Sequence, residues 1–479
     1  MRKPLQLLSG IMIAATFFIG CNDKTTITAL NAVSLGTADF TRFVTIGNSL
    51  TQGEQSGSVY QSAQNYSIGA LLAKQVNTTF EQAIFPDPGC GGRIEISSLS
   101  PFALKTNTIV NPPNNLTYPA PYNNLGVRFA FLYDVIHTTA TANSYTATNF
   151  NFPNPMFDVI LRGSGSQFSQ AKAQHPTFIS LWIGCNDILT YATRGGLFPP
   201  TSPANYQVWY GQVLDSLQST NANVLVTNIP NITALPYFRT IGPKVAAAID
   251  PVVAAKKAVG LYYQKTTDTS GVPQTQFVTP AQLVNGTIYL ILSGSSAAGL
   301  IGDVTGKYYI DNNIPVPKGV VTAAPFGLHF ANPFPGKFVL DSSEIATTTQ
   351  IINGYNQIIA GLAAAKSMPV VDINKKFDSL ATYGTVVDGL TFTTQYIAGG
   401  IFSLDGVHPT SRGYAIITNE FIKVINEKFG ASIPAVNMAD IPPMELTPTL
   451  AKRRMNTKNQ LDFDDLPVFE PGTFDNVSF

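Results

Sequence analysis

The stretch "FVTIGNSLTQGE", Phe43 to Glu54, begins as a β-branched, apolar run and then breaks into small polar residues around Ser49. Such a continuous apolar run is typical of a strand that is buried on both faces of a parallel sheet. Ligands of open parallel sheets bind at the carboxyl ends of the strands. Ser49 stands at that end and is therefore a candidate nucleophile. The alternative is that it is an ordinary turn residue.

Three more apolar runs, each bounded by turn residues, predict further buried strands. They are "TFISLWIG" (Thr177–Gly184), "NVLVTNIP" (Asn223–Pro230) and "MPVVDIN" (Met368–Asn374). Stretches with apolar residues at helical spacing alternate with them, and these predict helices over 65–76, 206–217, 343–365 and 411–429. Alternating strands and amphipathic helices indicate an α/β fold, in which helices cover both faces of a parallel sheet.

Composition excludes two classes of protein. Charged residues make up only 12% of the 479 residues and apolar residues 44%, whereas disordered chains need high charge and few aromatic residues. The 29 basic and 29 acidic residues cancel, so the chain has no basic field that would attract nucleic acid. We therefore expect a folded protein with no nucleic-acid partner.

The first 20 residues read as an export signal. Two basic residues precede an apolar run and then Gly20 and Cys21, and the run is shorter than the roughly 20 residues that span a bilayer. The pattern resembles a bacterial lipoprotein signal, with Cys21 lipidated and residues 21–38 forming a tether. This predicts a protein of the cell envelope, lipid-anchored in the outer membrane and either periplasmic or surface-exposed. The alternative is a plain secretory signal in which Cys21 has no role.

The remaining cysteines, Cys90 and Cys185, leave two possibilities open. They could form a disulfide in an oxidising compartment, but two free, buried thiols are the simpler interpretation. The chain has no CxxC motif and only four histidines, so we expect no metal site.

The chain divides into a core of two parts, an insertion and a tail. The core covers residues 39–235 and 341–432, and the tail covers 433–479. The insertion, 236–340, is rich in Gly, Pro, Thr and Tyr and contains two β-like runs, "GTIYLILSG" and "GKYYIDN". It is either a lid or wall over the site or a surface excursion.

Two further polar clusters have the chemistry that a nucleophilic serine needs. Asp405 and His408 lie three residues apart in "LDGVHPTSRGY", ahead of a predicted helix, and Asn186 lies in "GCND" at the end of a predicted strand. Histidine can take the proton of a serine, and a carboxylate orients the imidazole. The Asn186 amide can hold an oxyanion without titrating. Individually, each residue could instead cap a helix or lie in the core.

Together the three motifs resemble the SGNH, or GDSL-type, serine hydrolase superfamily. "GNSL" matches its first block, "GCND" its G-x-N-D block and "DGVHP" its D-x-x-H block, in the family's order. The resemblance implies a flavodoxin-like three-layer α/β/α fold and no cofactor. It implies that Ser49 is the nucleophile, His408 the general base and Asp405 its orienter. Oxyanion donors would be the Ser49 backbone, the Asn186 side chain and a glycine N–H of a second block. The N-terminal region is also similar to predicted SGNH lipoproteins of Bacteroidota.

The sequence departs from the family pattern at two places. Asn48 stands where the motif usually has Asp, and we expect a mild effect because Asn also bonds backbone N–H groups. The best second block is "NNLGVRFA", in which the oxyanion glycine falls at Phe129, with Gly126 three residues earlier. A donating Phe129 would need a negative φ, and its ring would crowd the site. Arg128 either binds an acidic substrate group or is a solvated surface residue.

These patterns predict an exported serine esterase with a Ser-His-Asp acyl-enzyme mechanism. Its partners would be an ester substrate, either an acylated glycan or a lipid, and the membrane through the lipid anchor. The rival hypothesis is a surface lipoprotein that keeps the SGNH fold but binds glycan or lipid without turnover. The unusual residues Asn48, Arg128 and Phe129 motivate this rival.

Overall fold

The computed structural model describes residues 33–99 and 102–444. The predicted signal, the lipidation site Cys21, most of the tether and most of the tail lie outside the described residues. The strands are β1 (Phe43–Gly47), β2 (Arg93–Leu99), β3 (Phe102–Asn107), β4 (Asn124–Gly126), β5 (Phe178–Trp182), β6 (Asn223–Thr227), β7 (Leu261–Thr267), β8 (Pro273–Val278), β9 (Tyr289–Leu290), β10 (Val339–Leu340), β11 (Val370–Val371), β12 (Thr385–Val387) and β13 (Leu390–Phe392).

The α-helices are α1 (Ser49–Gln52), α2 (Gln61–Gln64), α3 (Ile68–Val76), α4 (Asp134–His137), α5 (Tyr145–Phe150), α6 (Met156–Leu161), α7 (Gln167–Ala173), α8 (Asn186–Ala192), α9 (Pro203–Gln218), α10 (Pro236–Arg239), α11 (Ile241–Ala254), α12 (Pro280–Val284), α13 (Ser295–Ala298), α14 (Lys307–Asp311), α15 (Ser342–Ala365), α16 (Ile373–Tyr383) and α17 (Ser411–Phe429). Short 3₁₀ helices cover Thr141–Asn143, Ile232–Ala234, Leu292–Gly294, Gly336–Phe338 and Met438–Asp440. In the described part of the chain, no helix is both long and apolar enough to cross a bilayer.

A parallel five-stranded sheet in the order β11-β6-β5-β1-β4 forms the centre of the molecule. Counted along the chain, this order is 5-4-3-1-2, which is the flavodoxin-like order read from the other edge. The predicted flavodoxin-like α/β/α fold is confirmed. The strand order reverses between β1 and β5, and the carboxyl ends of these two strands therefore flank the crevice where such sheets bind ligands.

Helices cover the two faces of this sheet. Parallel crossovers are right-handed, so the reversal after β4 places α3 on one face and α7, α9 and α15 on the other. The helix contacts agree, because α3 packs against α17 whereas α15 packs against α8 and α9. β1 and β5 are buried along their whole length, as strands between two helical layers must be.

The insertion contains little of the β-structure that its sequence predicts. "GKYYIDN" was expected to be β-like, but it forms α14. The prediction was wrong because Asp303 accepts the N–H of Lys307 at the start of the helix, and Lys307 pairs with Asp311 one turn later at 2.7 Å. Only Tyr289–Leu290 of "GTIYLILSG" is a strand, and it pairs with β10. The hairpin of β7 and β8 is the larger β-element here.

The insertion lies against the site, and the two ends of the described chain lie against each other. Tyr237 donates its N–H to the carbonyl of Gly406 at 3.0 Å, so the start of the insertion contacts the loop that carries His408. At the other end, Thr37 donates its N–H to Phe429 at 2.8 Å, and Ser432 donates to Ser34 at 2.8 Å. The end of the predicted tether is therefore bonded to the end of α17.

Candidate active site

A tight turn after β1 positions Ser49. A Cβ on Gly47 would lie 2.3 Å from the carbonyl oxygen of Trp182 in β5, so only glycine lets the strands stay this close. Asn48 caps α1, and its side chain accepts the N–H of Leu50 at 3.1 Å. It therefore makes the kind of backbone hydrogen bond that we expected of it. Ser49 follows as the first residue of α1.

Three residues that are distant in sequence form one hydrogen-bonded line. The Nε2 of His408 lies 2.9 Å from the Oγ of Ser49. Its Nδ1 lies 2.8 Å from Oδ2 of Asp405. All three side chains are buried. The structure thus brings together an alcohol, a base and a carboxylate in the arrangement that activates a serine hydroxyl.

Backbone donors hold the Asp405 carboxylate in place. Its Oδ1 accepts the N–H groups of Val407 and His408, both at 2.8 Å, and its Oδ2 accepts the N–H of Gly57 at 2.7 Å. Burial alone would raise the pKa of Asp405, but the charge of His408 and these donors hold it below its ordinary value. The carboxylate therefore stays ionised and orients the imidazole.

The segment that follows Ser49 is bonded to the loop that carries His408. Ser56 donates its N–H to the hydroxyl of Ser403 at 2.8 Å, and its own hydroxyl accepts the N–H of Leu404 at 3.2 Å. These bonds join positions about 350 residues apart. Sequence patterns did not identify Ser56, Gly57 or Ser403, because nothing local marks a hydrogen bond across that distance.

Glu54 is a second buried carboxylate beside the histidine, and the sequence analysis missed it. Its Oε2 lies 4.0 Å from Nε2 of His408 and has no hydrogen-bond partner among the described residues. Burial alone would lower the pKa of His408, but the charges of Glu54 and Asp405 raise it above its ordinary value. Its only sequence signal is an acid five residues after the candidate nucleophile.

Arg128 has neither of its two predicted roles. Its Nη2 donates to Oε1 of Glu54 at 2.9 Å and to the carbonyl of Gly57 at 3.1 Å, and its Nη1 lies 3.1 Å from the sulfur of Cys90. Only 9% of the residue is exposed. It is therefore not a solvated surface residue, and its guanidinium is engaged by Glu54 rather than directed at a substrate. Arg128 neutralises the buried Glu54 carboxylate.

Phe129 has a left-handed backbone conformation, which favours glycine. Its φ is +60°, whereas we expected a negative value. Hydrogen bonds hold the residues on both sides of it: Arg128 donates its N–H to Gln52 and accepts from Asn154, both at 2.8 Å, and the carbonyl of Ala130 accepts from the Asn186 amide at 2.9 Å. A non-glycine residue held there stores on the order of 1–3 kcal/mol of strain, a feature that clusters at functional sites.

Two backbone donors near the nucleophile are free. Neither the N–H of Ser49 nor that of Phe129 donates to another residue in the described part of the chain. Asn186 uses one amide hydrogen on the carbonyl of Ala130 at 2.9 Å, and its NH₂ group has a second hydrogen. Asn186 begins α8 just after β5, and β5 pairs with β1, so its loop adjoins the loop of Ser49.

Gly126 does not have the predicted role. Its N–H donates to the side chain of Asn124 at 3.0 Å and is therefore occupied, so the prediction of Gly126 as an oxyanion donor was wrong. Its lack of a side chain matters instead, because a Cβ would lie 2.5 Å from the backbone nitrogen of Gln52 in α1.

The residues on either side of Asn186, Cys185 and Asp187, have structural roles. Asp187 accepts the N–H of Leu132 at 2.9 Å and the hydroxyl of Thr201 at 2.7 Å, and burial raises its pKa to about 7. Cys185 and Cys90 are both free thiols, and burial raises the pKa of Cys185 to about 12. Because a thiolate is the reactive form, Cys185 is inert at neutral pH.

A cavity of about 280 Å³ opens beside the free donors, and both Phe129 and Asn186 lie in its wall. Among the described residues, no group of three or more His, Cys, Asp or Glu side chains could hold a metal ion. The arrangement supplies a nucleophile, a base and uncharged donors.

The chain matches no protein-family model, and no curated protein matches it. The solved structures that resemble it do so only weakly, and two of them are enzymes. One is LAE5, an α/β hydrolase enzyme from the metagenome of Lake Arreo, Spain, with 11% identity, a TM-score of 0.31, and coverage of 81% of this chain and 96% of that one. The other is the acetyl xylan esterase AlAXEase, with 12% identity, a TM-score of 0.28, and coverage of 80% and 98%. Similarities this weak support no statement about the activity of this chain.

Proposed function

We propose that this protein is a serine esterase that cleaves carboxylic esters through an acyl-enzyme. One observation carries the proposal: the hydrogen-bonded line from Ser49 Oγ through His408 to Asp405, with distances of 2.9 and 2.8 Å. The proposal includes membership of the SGNH superfamily, on the strength of the three motifs in family order. It also includes export and lipid anchoring at Cys21, for which the N-terminal sequence is the support.

In the first half-reaction, Ser49 Oγ attacks the ester carbonyl while His408 Nε2 takes its proton. The resulting oxyanion is held by the N–H groups of Ser49 and Phe129 and by the Asn186 amide. The tetrahedral intermediate then collapses to the acyl-enzyme, and the leaving alcohol takes the proton from His408. While His408 carries the proton, Asp405 stabilises the imidazolium and keeps its own negative charge.

In the second half-reaction, water attacks the acyl-enzyme. His408 removes a proton from the water, and the same donors hold the second oxyanion. Collapse releases the carboxylic acid and returns the proton to Ser49. All protons are accounted for by Ser49, His408, substrate and water.

The proposal is tested with purified protein on p-nitrophenyl esters from acetyl to palmitoyl and on acetylated xylan and pectin. We expect hydrolysis of at least one class, and Ser49→Ala should lower kcat by several orders of magnitude without unfolding the protein. Folded protein that cleaves none of these esters and does not react with a fluorophosphonate would contradict the proposal. That result would favour the rival binding function.

A further inference from the structure

The cavity beside Asn186 has an aromatic wall. Five phenylalanines line it: Phe129, Phe131, Phe150, Phe152 and Phe198. Their rings contact one another, with centroid distances of 6.5 Å between Phe129 and Phe152, 5.8 Å between Phe131 and Phe150, and 5.1 Å between Phe150 and Phe198. The wall is therefore already packed before a ligand enters, as in most small-molecule sites.

The position of the cavity suits the acyl part of an ester bound at the proposed reaction centre. Two of the proposed oxyanion donors, Phe129 and Asn186, are in its wall, so the carbonyl oxygen would sit at its opening. The leaving alcohol has to receive a proton from His408 and must therefore lie on the side of the histidine. All residues that line the cavity fall between 129 and 198, and none comes from the loop that carries His408. The acyl group is the part of the ester that can enter.

The cavity is much larger than an acetyl group needs. A methyl group is about the size of a water molecule, for which a cavity of about 10–15 Å³ suffices, whereas this cavity has about 280 Å³. Arg194 is the one charged side chain in the lining, and the other polar residues there are uncharged: Thr146, Asn151, Asn186, Thr190 and Thr193. An apolar acyl group would fill this space, and an acetyl group would leave most of it empty.

We infer that this cavity binds the acyl group of the substrate, and that this group is apolar and considerably larger than acetyl. The inference rests on the proposed function. Both an aliphatic chain and an aromatic ring are apolar and large enough to fill the cavity. Comparing the hydrolysis of hexanoyl and 3-phenylpropionyl esters distinguishes these two kinds of acyl group.

The experiment measures kcat/KM for p-nitrophenyl acetate, hexanoate and 3-phenylpropionate after the active sites have been titrated with a fluorophosphonate. Hexanoate adds four methylenes to acetate. At about 0.8 kcal/mol for each buried methylene and 1.36 kcal/mol for each tenfold change, kcat/KM should rise by up to about 200-fold. A higher value for 3-phenylpropionate than for hexanoate would identify an aromatic acyl group, and the reverse an aliphatic one.

Two variants change the cavity in opposite directions. Leu189→Trp fills it from α8 and should lower the hexanoate-to-acetate ratio at least tenfold, whereas Phe198→Ala opens the wall and should lower the preference for 3-phenylpropionate. Val208→Trp is the matched control, because Val208 is exposed on α9, and its ratio should equal that of the wild type.

An active, titratable enzyme that prefers acetate, or equal ratios in Leu189→Trp and Val208→Trp, would overturn the inference and leave the esterase proposal standing. A folded protein that neither reacts with the fluorophosphonate nor cleaves any ester would overturn both.

Discussion

Replacing Glu54 with glutamine should move the acid limb of the kcat/KM profile to lower pH. The Glu54 carboxylate faces Nε2 of His408 at 4.0 Å and raises the pKa of that histidine. His408 has to be neutral to take the proton of Ser49, and the profile of kcat/KM reports the pKa of the free enzyme. Without the Glu54 charge the imidazolium is less stable, so the histidine becomes active at lower pH.

The magnitude follows from the distance. Two unit charges about 4 Å apart interact by roughly 4 kcal/mol at an effective dielectric constant of 20. Arg128 lies 2.9 Å from the other oxygen of Glu54 and offsets part of this. Glu54→Gln removes this attraction and leaves the repulsion from Arg128 in place, so the acid limb should move clearly to lower pH. The plateau at high pH should fall, because the transition state also contains an imidazolium.

The assay is kcat/KM for the best p-nitrophenyl ester between pH 4.5 and 9, on Glu54→Gln, Glu54→Gln/Arg128→Gln and the exposed control Glu427→Gln. The single variant leaves a buried, unpaired arginine and should lower the free energy of unfolding by about 3–5 kcal/mol. The double variant also removes the repulsion from Arg128, so its acid limb should lie between those of Glu54→Gln and the wild type. If the acid limb of Glu54→Gln lies at the same pH as that of the Glu427→Gln control, the electrostatic role of Glu54 is refuted.

Three further variants test the site and its support. Asp405→Asn removes the charge that stabilises the imidazolium and should lower kcat by about 10⁴ with little change in KM; a loss below tenfold would contradict its role. Asn186→Ala should lower kcat by about 10²–10³, and an unchanged kcat would exclude its amide from the oxyanion site. Asp187 has its pKa raised from 3.8 to about 7, so between these values the folded state holds a proton that the unfolded state has lost. Its contribution to stability should therefore decline by about 3 kcal/mol as pH rises from 4 to 7. Urea titrations across this range should show a smaller decline in Asp187→Asn, and an equal one would contradict the assignment.

The central sheet could be predicted because its long strands are continuous apolar runs. Four of its five strands lie within predicted runs, and α17 has the predicted bounds, Ser411–Phe429. β4 was missed, since its three residues, "NLG", carry no periodicity and owe their conformation to pairing with β1. In the insertion, local caps overrode the β-propensity of "GKYYIDN".

The site could be predicted only where its residues belong to a recognisable sequence motif. Ser49, Asp405 and His408 stand next to glycines and turns in recognisable blocks, and the structure brings them together. Arg128 was misread because its partner, Glu54, lies 74 residues away, and no local pattern shows that both are buried. The φ of Phe129 depends on the hydrogen bonds that its neighbour Arg128 donates to Gln52 and accepts from Asn154, and only the folded chain brings these residues near.

Covalent labelling is the most direct test of whether the hydroxyl of residue 49 is the reacting group. The folded protein is incubated with a fluorophosphonate and digested, and the modified residue is located by mass spectrometry. We expect one adduct per chain, on Ser49, that is absent from Ser49→Ala and forms much more slowly in His408→Ala. An adduct on a different residue, or none on a folded protein that hydrolyses esters, would show that another group carries out the chemistry.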